Sequence, residues 1–424
     1  MRMPSERTSM PEQAVPTVDQ VDFRALYTKT RYVVDTADGW SLMVSRYRPQ
    51  SQPWPQPLFG EPLLLVHGFS QNRHTWTSGE FVKNLLYFGA DVHILELRGH
   101  GLSSIRLQFE RARRHNRPVP ADIDYGWDID SYFLYDLPAG VAGVKRITRR
   151  ERIFYGGHSM GGMLGYGYAG IHDDFEGLIT IGAPADLGAD FPLLRTLAFS
   201  GPLLTAGIDL TLGAMNLERR VSSTVGKAAA RVVERLKPKL AEELRPGPVP
   251  RRRDYRYLPV DAWQKAAEQL LARAEVHPLY AQAYQRLGLL ANAQRVAIQD
   301  IRWLLREGGE RESRKVVDQF ARWIRRGEMV CYRTGYDFKR GFSKIKIPMA
   351  IIFGDMDPLA SVESTRSVYR AAKSDYLLWR PVKGNSHIEL TMGHDIRQIC
   401  YDIKNLMEYA RIHRNRAPSL PRLR

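Results

Sequence analysis

Ser159 stands where it could act as a nucleophile. Residues 152–164 read RIFYGGHSMGGML, so the serine sits among glycines directly after the apolar run Ile153-Phe154-Tyr155. A serine hydroxyl attacks a carbonyl at neutral pH only with help from a base, an acid that orients that base, and donors for the developing oxyanion. Each partner has a candidate elsewhere in the chain. IPMAIIFGDMDPL (347–359) carries two carboxylates just past an apolar run. Asp355 directly follows Gly354 and suits closing the turn; Asp357, one step further out, can reach across to an imidazole and is the expected acid. WRPVKGNSHIELTMGHD (379–395) offers His387 and His394. His387 lies at the head of a helix just after an apolar run, whereas His394 lies about two helical turns on, so His387 is the expected base. In LLLVHGFSQN (63–72) an apolar run ends at His67-Gly68-Phe69. The backbone amides of Phe69 and Met160 are the expected oxyanion donors, one from each loop.

These residues need a scaffold that brings four separated loops together. Runs rich in β-formers occur at 31–35, 41–47, 62–67, 91–96, 152–156, 177–182, 348–353 and 376–382. The first two are joined through Ala37-Asp38-Gly39, a hairpin-like turn, and so form an antiparallel pair. The later runs lack polar alternation, as expected of strands buried on both faces of a parallel sheet. Helical stretches at 79–88 and 162–171 lie between them, which gives an α/β class with a mostly parallel eight-stranded sheet. An apolar strand, Gly156-Gly157, Ser159, then Gly161-Gly162 opening a helix describes a nucleophile elbow, where only small neighbours fit the tight turn.

Between about 185 and 345 the strand signal disappears. Trp263, Ala266, Ala267, Leu270 and Leu271 recur at helical spacing, as do Val316, Val317, Phe320, Trp323 and Ile324, with Arg322, Arg325 and Arg326 around the second set. The segment is expected to be a helical cap inserted after the sixth strand. RPGPVPRRRDYRYLP (245–259) within it is proline-broken and basic, a linker or exposed loop. The expected organisation is a disordered lead-in (1–20), a first core part (21–184), the cap (185–345), a second core part (346–410) and a basic tail (411–424).

The chain of 424 residues carries a formal charge of +16, and residues 184–346 hold 30 Lys and Arg against 18 Asp and Glu. No nucleic-acid motif accompanies this excess, so a nucleic-acid partner is not expected. Two readings of the basic cap stay open: a lid that meets an anionic membrane surface peripherally, or a lid that encloses a soluble substrate. The apolar stretch 193–215 is interrupted by Arg195, Pro202 and Asp209 and cannot form a bilayer span. No secretory signal is visible at the N-terminus, and two cysteines, Cys331 and Cys400, make no disulfide framework, so a cytoplasmic protein is expected. The histidines are scattered, no metal cluster is present in the sequence, and no cofactor is implied. Nothing in the sequence fixes an oligomeric state. Arg98 and His100 are expected to tie down a loop beside the elbow, His158 to pack, and Trp76, Trp303 and Trp323 to serve as core or pocket wall.

HGF at 67–69, LRGHGLS at 97–103, GHSMGG, GDMD and the SHIEL histidine together resemble the α/β-hydrolase superfamily, in its lipase, esterase and serine-aminopeptidase-like branches. The order Ser159, Asp357, His387 is the order of that superfamily. YDLPAGV (135–141) and HIELTMGHD resemble the acid lipases. The resemblance covers about 20–183 and 346–410 and leaves the insertion unmatched. LRGHGLS lacks the asparagine those lipases usually carry, and Met160 stands where they usually have glutamine. The resemblance therefore implies the catalytic machinery more than a lipid preference. It implies a serine hydrolase acting on a small-molecule or lipid carboxylic ester, with acyl transfer or amide cleavage as alternatives on the same triad. A silent binding scaffold is the rival of another class. Haloalkane dehalogenases and epoxide hydrolases are disfavoured, because they need a carboxylate at the elbow, where this chain has Ser159.

Overall fold

The structure is a computed structural model that describes residues 15–189, 192, 195–196, 256–274, 290–292 and 294–414. Most of the stretch 193–215, the three arginines at 251–253 and the end of the tail lie outside the described residues.

Eight strands form one sheet: β1 (Tyr27–Asp35), β2 (Ser41–Pro49), β3 (Pro62–Val66), β4 (Asp91–Leu95), β5 (Ile153–His158), β6 (Phe175–Ile181), β9 (Met349–Gly354) and β10 (Leu377–Val382). The insertion contributes a separate two-stranded ladder, β7 (Tyr257–Leu258) and β8 (Glu312–Ser313). The sheet order is β1-β2-β4-β3-β5-β6-β9-β10. β2 is antiparallel to both its neighbours, and every other pairing is parallel.

Apolar runs without alternation are explained by the two faces. Leu64 and Val66 of β3, Tyr155 of β5, Leu178 of β6 and Ile351 and Phe353 of β9 pack on one side, with the helices Leu137–Thr148 and Met160–Ala169. Leu63, Leu65, Phe154, Ile179, Ile181, Ala350 and Ile352 pack on the other, with the helices Phe81–Tyr87 and Ile396–His413. Both faces exclude water, so both sets of alternate positions are predominantly apolar.

Register then decides where the loops emerge. Val66 pairs with Gly157, Gly157 with Thr180, Thr180 with Ile351, and Gly354 with Val382. The loops after β3, β5, β9 and β10, which carry Phe69, Ser159, Asp357 and His387, therefore leave the same edge of the sheet.

The longer helices described within the insertion are Val260–Ala274, Ile298–Glu307 and Arg314–Arg326, and a short one, Phe338–Gly341, follows them. Val316, Trp323 and Ile324 are buried on Arg314–Arg326, while Arg325 and Arg326 are exposed and Arg322 is half-buried. Leu271 is buried on Val260–Ala274, but Trp263 is exposed, so the stripe read from spacing is only partly a core face. The β7–β8 ladder has two residues per strand, too few for a sequence signal. At the N-terminus, Val18 is buried and the Tyr87 hydroxyl donates to Pro16, so packing begins before residue 21.

Behind the edge, Arg98 gathers three segments. It is fully buried and pairs with Asp38 of the β1–β2 turn (2.7 Å), Asp122 (3.0 Å) and Asp136 (2.6 Å). Its main-chain amide also donates to Asp136 at 2.8 Å. Asp136 ends a π-helical turn, Tyr132–Asp136, that leads into the helix Leu137–Thr148. Burial raises the Asp136 pKa and Arg98 opposes the rise. Arg98→Met strands a fully buried carboxylate, and breaking such a pair costs about 3–5 kcal/mol. Urea denaturation should show that loss, with a smaller one for Asp136→Asn; equal stability of Arg98→Met and wild type would refute the anchoring role.

Candidate active site

The apolar strand β5 drives the chain to the sheet edge, and Ser159 turns it into the helix Met160–Ala169 with φ 52° and ψ −119°. A non-glycine residue there is strained by about 1–3 kcal/mol and persists only where its surroundings fix it. Its amide donates to Ile181 of β6 at 2.9 Å and its carbonyl accepts from Met163 at 3.1 Å. The Tyr155 hydroxyl donates to the Gly161 carbonyl at 2.5 Å. A Cβ on Gly161 would lie 2.4 Å from the Val66 carbonyl oxygen, so the helix touches the end of β3 through bare backbone.

That approach sets the loop after β3 beside the serine. A Cβ on Gly68 would lie 2.9 Å from Cβ of Ser159. Phe69 follows, and neither its amide nor that of Met160 has an acceptor among the described residues. The Met160 amide is one of the donors that every helix N-terminus leaves over. His67 is a strut: its Nδ1–H donates to the Gly68 carbonyl (2.9 Å) and its Nε2 accepts from the Leu97 amide (3.1 Å). Those partners fix a neutral tautomer, and burial lowers its pKa to about 3.

Asp357 and His387 are brought together. Oδ2 of Asp357 accepts from Nδ1 of His387 at 2.7 Å, and its Oδ1 accepts from the amides of Leu359 (2.8 Å) and Ala360 (3.1 Å). Burial would raise the Asp357 pKa, but His387 and these donors overcome it and hold the carboxyl below its ordinary range. The other carboxylate, Asp355, is exposed and accepts from the Gly384 amide at 2.7 Å, closing the turn. His394 is exposed, away from the pair.

Other contacts give no signal in the sequence. His158 lies beside His387, ring centroids 4.8 Å apart, and its Nε2 donates to the His387 carbonyl at 3.2 Å. It therefore braces the loop of His387 as well as packing. Burial first, then His387, lowers its pKa to about 3. The amides of His387 and Ile388 donate to the carbonyl of Leu290, in the insertion, at 3.2 and 3.0 Å. Buried Glu389 accepts from the amides of Ser386 and of Asn292. Phe69 meets Phe320 of the insertion edge-on, centroids 5.9 Å apart. Among the described residues no group of acidic, histidine or cysteine side chains could hold a metal ion, both cysteines are free and buried, and no helix is long and apolar enough to cross a membrane.

Comparison with known proteins agrees with this architecture. The sequence profile of the alpha/beta hydrolase fold matches residues 61–388. The chain belongs to the alpha/beta hydrolase fold family. Among curated proteins it is similar to human lysosomal acid lipase/cholesteryl ester hydrolase, 26% identical over 149 residues, covering 33% of this chain and 34% of that protein. It is also similar to human lipase member M, 29% identical over 148 residues, covering 33% and 32%. This alpha/beta hydrolase thus spans about a third of the length of those relatives. The solved structure of DcsB with its substrate analogue shares the fold, with TM-score 0.52 and 12% identity over 90% of this chain and 100% of that one.

The buried neutral histidines carry a pH dependence. His67 and His158 have folded pKa values of about 3 against an ordinary 6.5, so below pH 6.5 the unfolded chain takes up protons that the folded one refuses. Stability should be fully present above about pH 6.5 and fall as pH drops toward 3, by up to about 1.4 kcal/mol per pH unit for each histidine. Urea midpoints measured from pH 7.5 to 4.5 test this; a flat profile would contradict it.

Proposed function

We propose that the chain is a serine hydrolase that cleaves a carboxylic ester through an acyl-enzyme. The observation that carries this reading is the Asp357–His387 hydrogen bond of 2.7 Å at the sheet edge from which the strained Ser159 also projects. Ser159 attacks the ester carbonyl while Nε2 of His387 takes its proton; His387 then returns that proton to the leaving alcohol. Asp357 holds the imidazole with Nδ1–H toward itself and stabilises the imidazolium as it forms. The amides of Phe69 and Met160 receive the oxyanion, fixed dipoles where one donor can be worth about 3 kcal/mol. Water, activated by the same histidine, releases the acid. An apolar acyl group suits the Phe69–Phe320 contact, and the distant lipase relatives support an ester over an amide.

Hydrolysis of p-nitrophenyl esters and labelling by a fluorophosphonate should both vanish in Ser159→Ala; hydrolysis near the wild-type rate would refute the reading. His387→Ala should be nearly as damaging and His394→Ala nearly silent. Asp357→Asn should cost several orders of magnitude, about 10⁴ where the same exchange is made in serine proteases. Asp355→Asn should cost far less. The elbow strain gives a separate expectation: Ser159→Gly should be more stable than Ser159→Ala by about 1 kcal/mol, because glycine tolerates positive φ. Equal melting of the two would show that the turn is unstrained.

A further inference from the structure

The insertion sends one charged side chain into the core, beneath the oxyanion loop. Glu312 of β8 is fully buried. Its Oε1 accepts from the Tyr132 hydroxyl (2.8 Å) and from the Ser313 amide (2.8 Å). Its Oε2 accepts from the Ser70 amide (3.3 Å) and faces Nε2 of His100 at 3.2 Å. His100 is fully buried as well, and its Nδ1 lies 2.9 Å from the Arg98 carbonyl. Both ring nitrogens face acceptors, an arrangement that suits an imidazolium paired with a carboxylate.

Ser70 directly follows Phe69 and is itself left-handed, with φ 54°. Its amide is held by Glu312, its carbonyl accepts from the Glu310 amide at 3.0 Å, and its hydroxyl donates to the Glu310 carbonyl. All three of its polar groups are thus engaged by residues 310–312. The same segment grips both sides of the loop: Nδ2 of Asn72 donates to the Glu307 carbonyl (2.8 Å) and to Glu310 Oε1 (2.7 Å), which also accepts from the Gly101 amide (3.0 Å).

We propose that Glu312, anchored by His100 and Tyr132, is a positioning residue that fixes the oxyanion loop through Ser70 and so keeps the Phe69 amide aimed at the reacting carbonyl. The proposal rests on the oxyanion reading above. An oxyanion donor counts only if it is in place before charge develops, so a loosened loop loses transition-state stabilisation and leaves substrate binding nearly intact. A merely structural carboxylate would lower the amount of folded enzyme without changing the rate of each folded site.

Glu312→Gln keeps the shape and removes the charge. With active sites counted by exhaustive fluorophosphonate titration, kcat per site should fall about 10- to 100-fold while KM changes less than about threefold. Affinity for a trifluoromethyl ketone, whose adduct bears an oxyanion, should fall in parallel with kcat, and Glu312→Asp should recover part of both. Wild-type kcat per site and ketone affinity in Glu312→Gln would overturn the proposal. If that variant does not fold, Tyr132→Phe decides: it keeps the ring and removes the hydroxyl that anchors Oε1 of Glu312. A several-fold fall in kcat per titrated site at unchanged KM then supports the clamp, and unchanged kcat overturns it. Ser159→Ala runs alongside, because activity surviving there would remove the oxyanion reading itself, whereas an inactive Ser159→Ala beside a normal Glu312→Gln refutes the clamp alone.

Discussion

A serine at φ 52° and ψ −119° is held by its neighbours or not at all. The turn survives because β5 is flanked by β3 and β6 in a register that sets Ile181 to accept the Ser159 amide, and because glycines let the helix after it press against the end of β3. Each of those contacts is backbone or nearly so, which leaves little freedom to adjust. The loop after β3 then passes so close to the serine at Gly68 that a Cβ there would lie 2.9 Å from that of Ser159.

Buried polar groups divide into two kinds around this turn. His67 and His158 are uncharged struts, bonding the main-chain carbonyls of Gly68 and His387 respectively and kept neutral by burial. Arg98 and Glu312 face opposite charge at close range, whereas the Asp357 carboxylate is held by Nδ1–H of His387 and two main-chain amides. An ionised group away from water is tolerable only with such partners, so each ties together segments far apart in sequence.

The strands and the elbow were legible because their signals are local. Buried parallel strands show as continuous apolar runs, and G-H-S-M-G needs no distant information to describe a turn. The order of strand ends could also be read, and the position just beyond Gly354 distinguished Asp355, which closes the turn, from Asp357, which faces the histidine. The contacts of the insertion were not legible. Glu312 lies in REGGERESRK, a polar run that suits an exposed loop, and its partners Ser70, His100 and Tyr132 are about 180 to 240 residues away. The bracing of His387 by Leu290 and of Glu389 by Asn292 is equally silent, since it is made largely by main-chain groups that every residue possesses.

These silent contacts change how the insertion relates to the core. The sheet alone brings Ser159, Asp357 and His387 to one edge, because register requires it. It does not fix two of the loops there: the loop of Phe69 takes its bonds at Ser70 from residues 310–312, and the loop of His387 takes its bonds at His387 and Ile388 from residue 290. Both grips belong to one stretch of sequence between the sixth and seventh strands of the main sheet. A displacement of that stretch therefore cannot leave these two loops unaffected. The insertion is better understood as the second half of the site's scaffold than as a cover placed over a finished one.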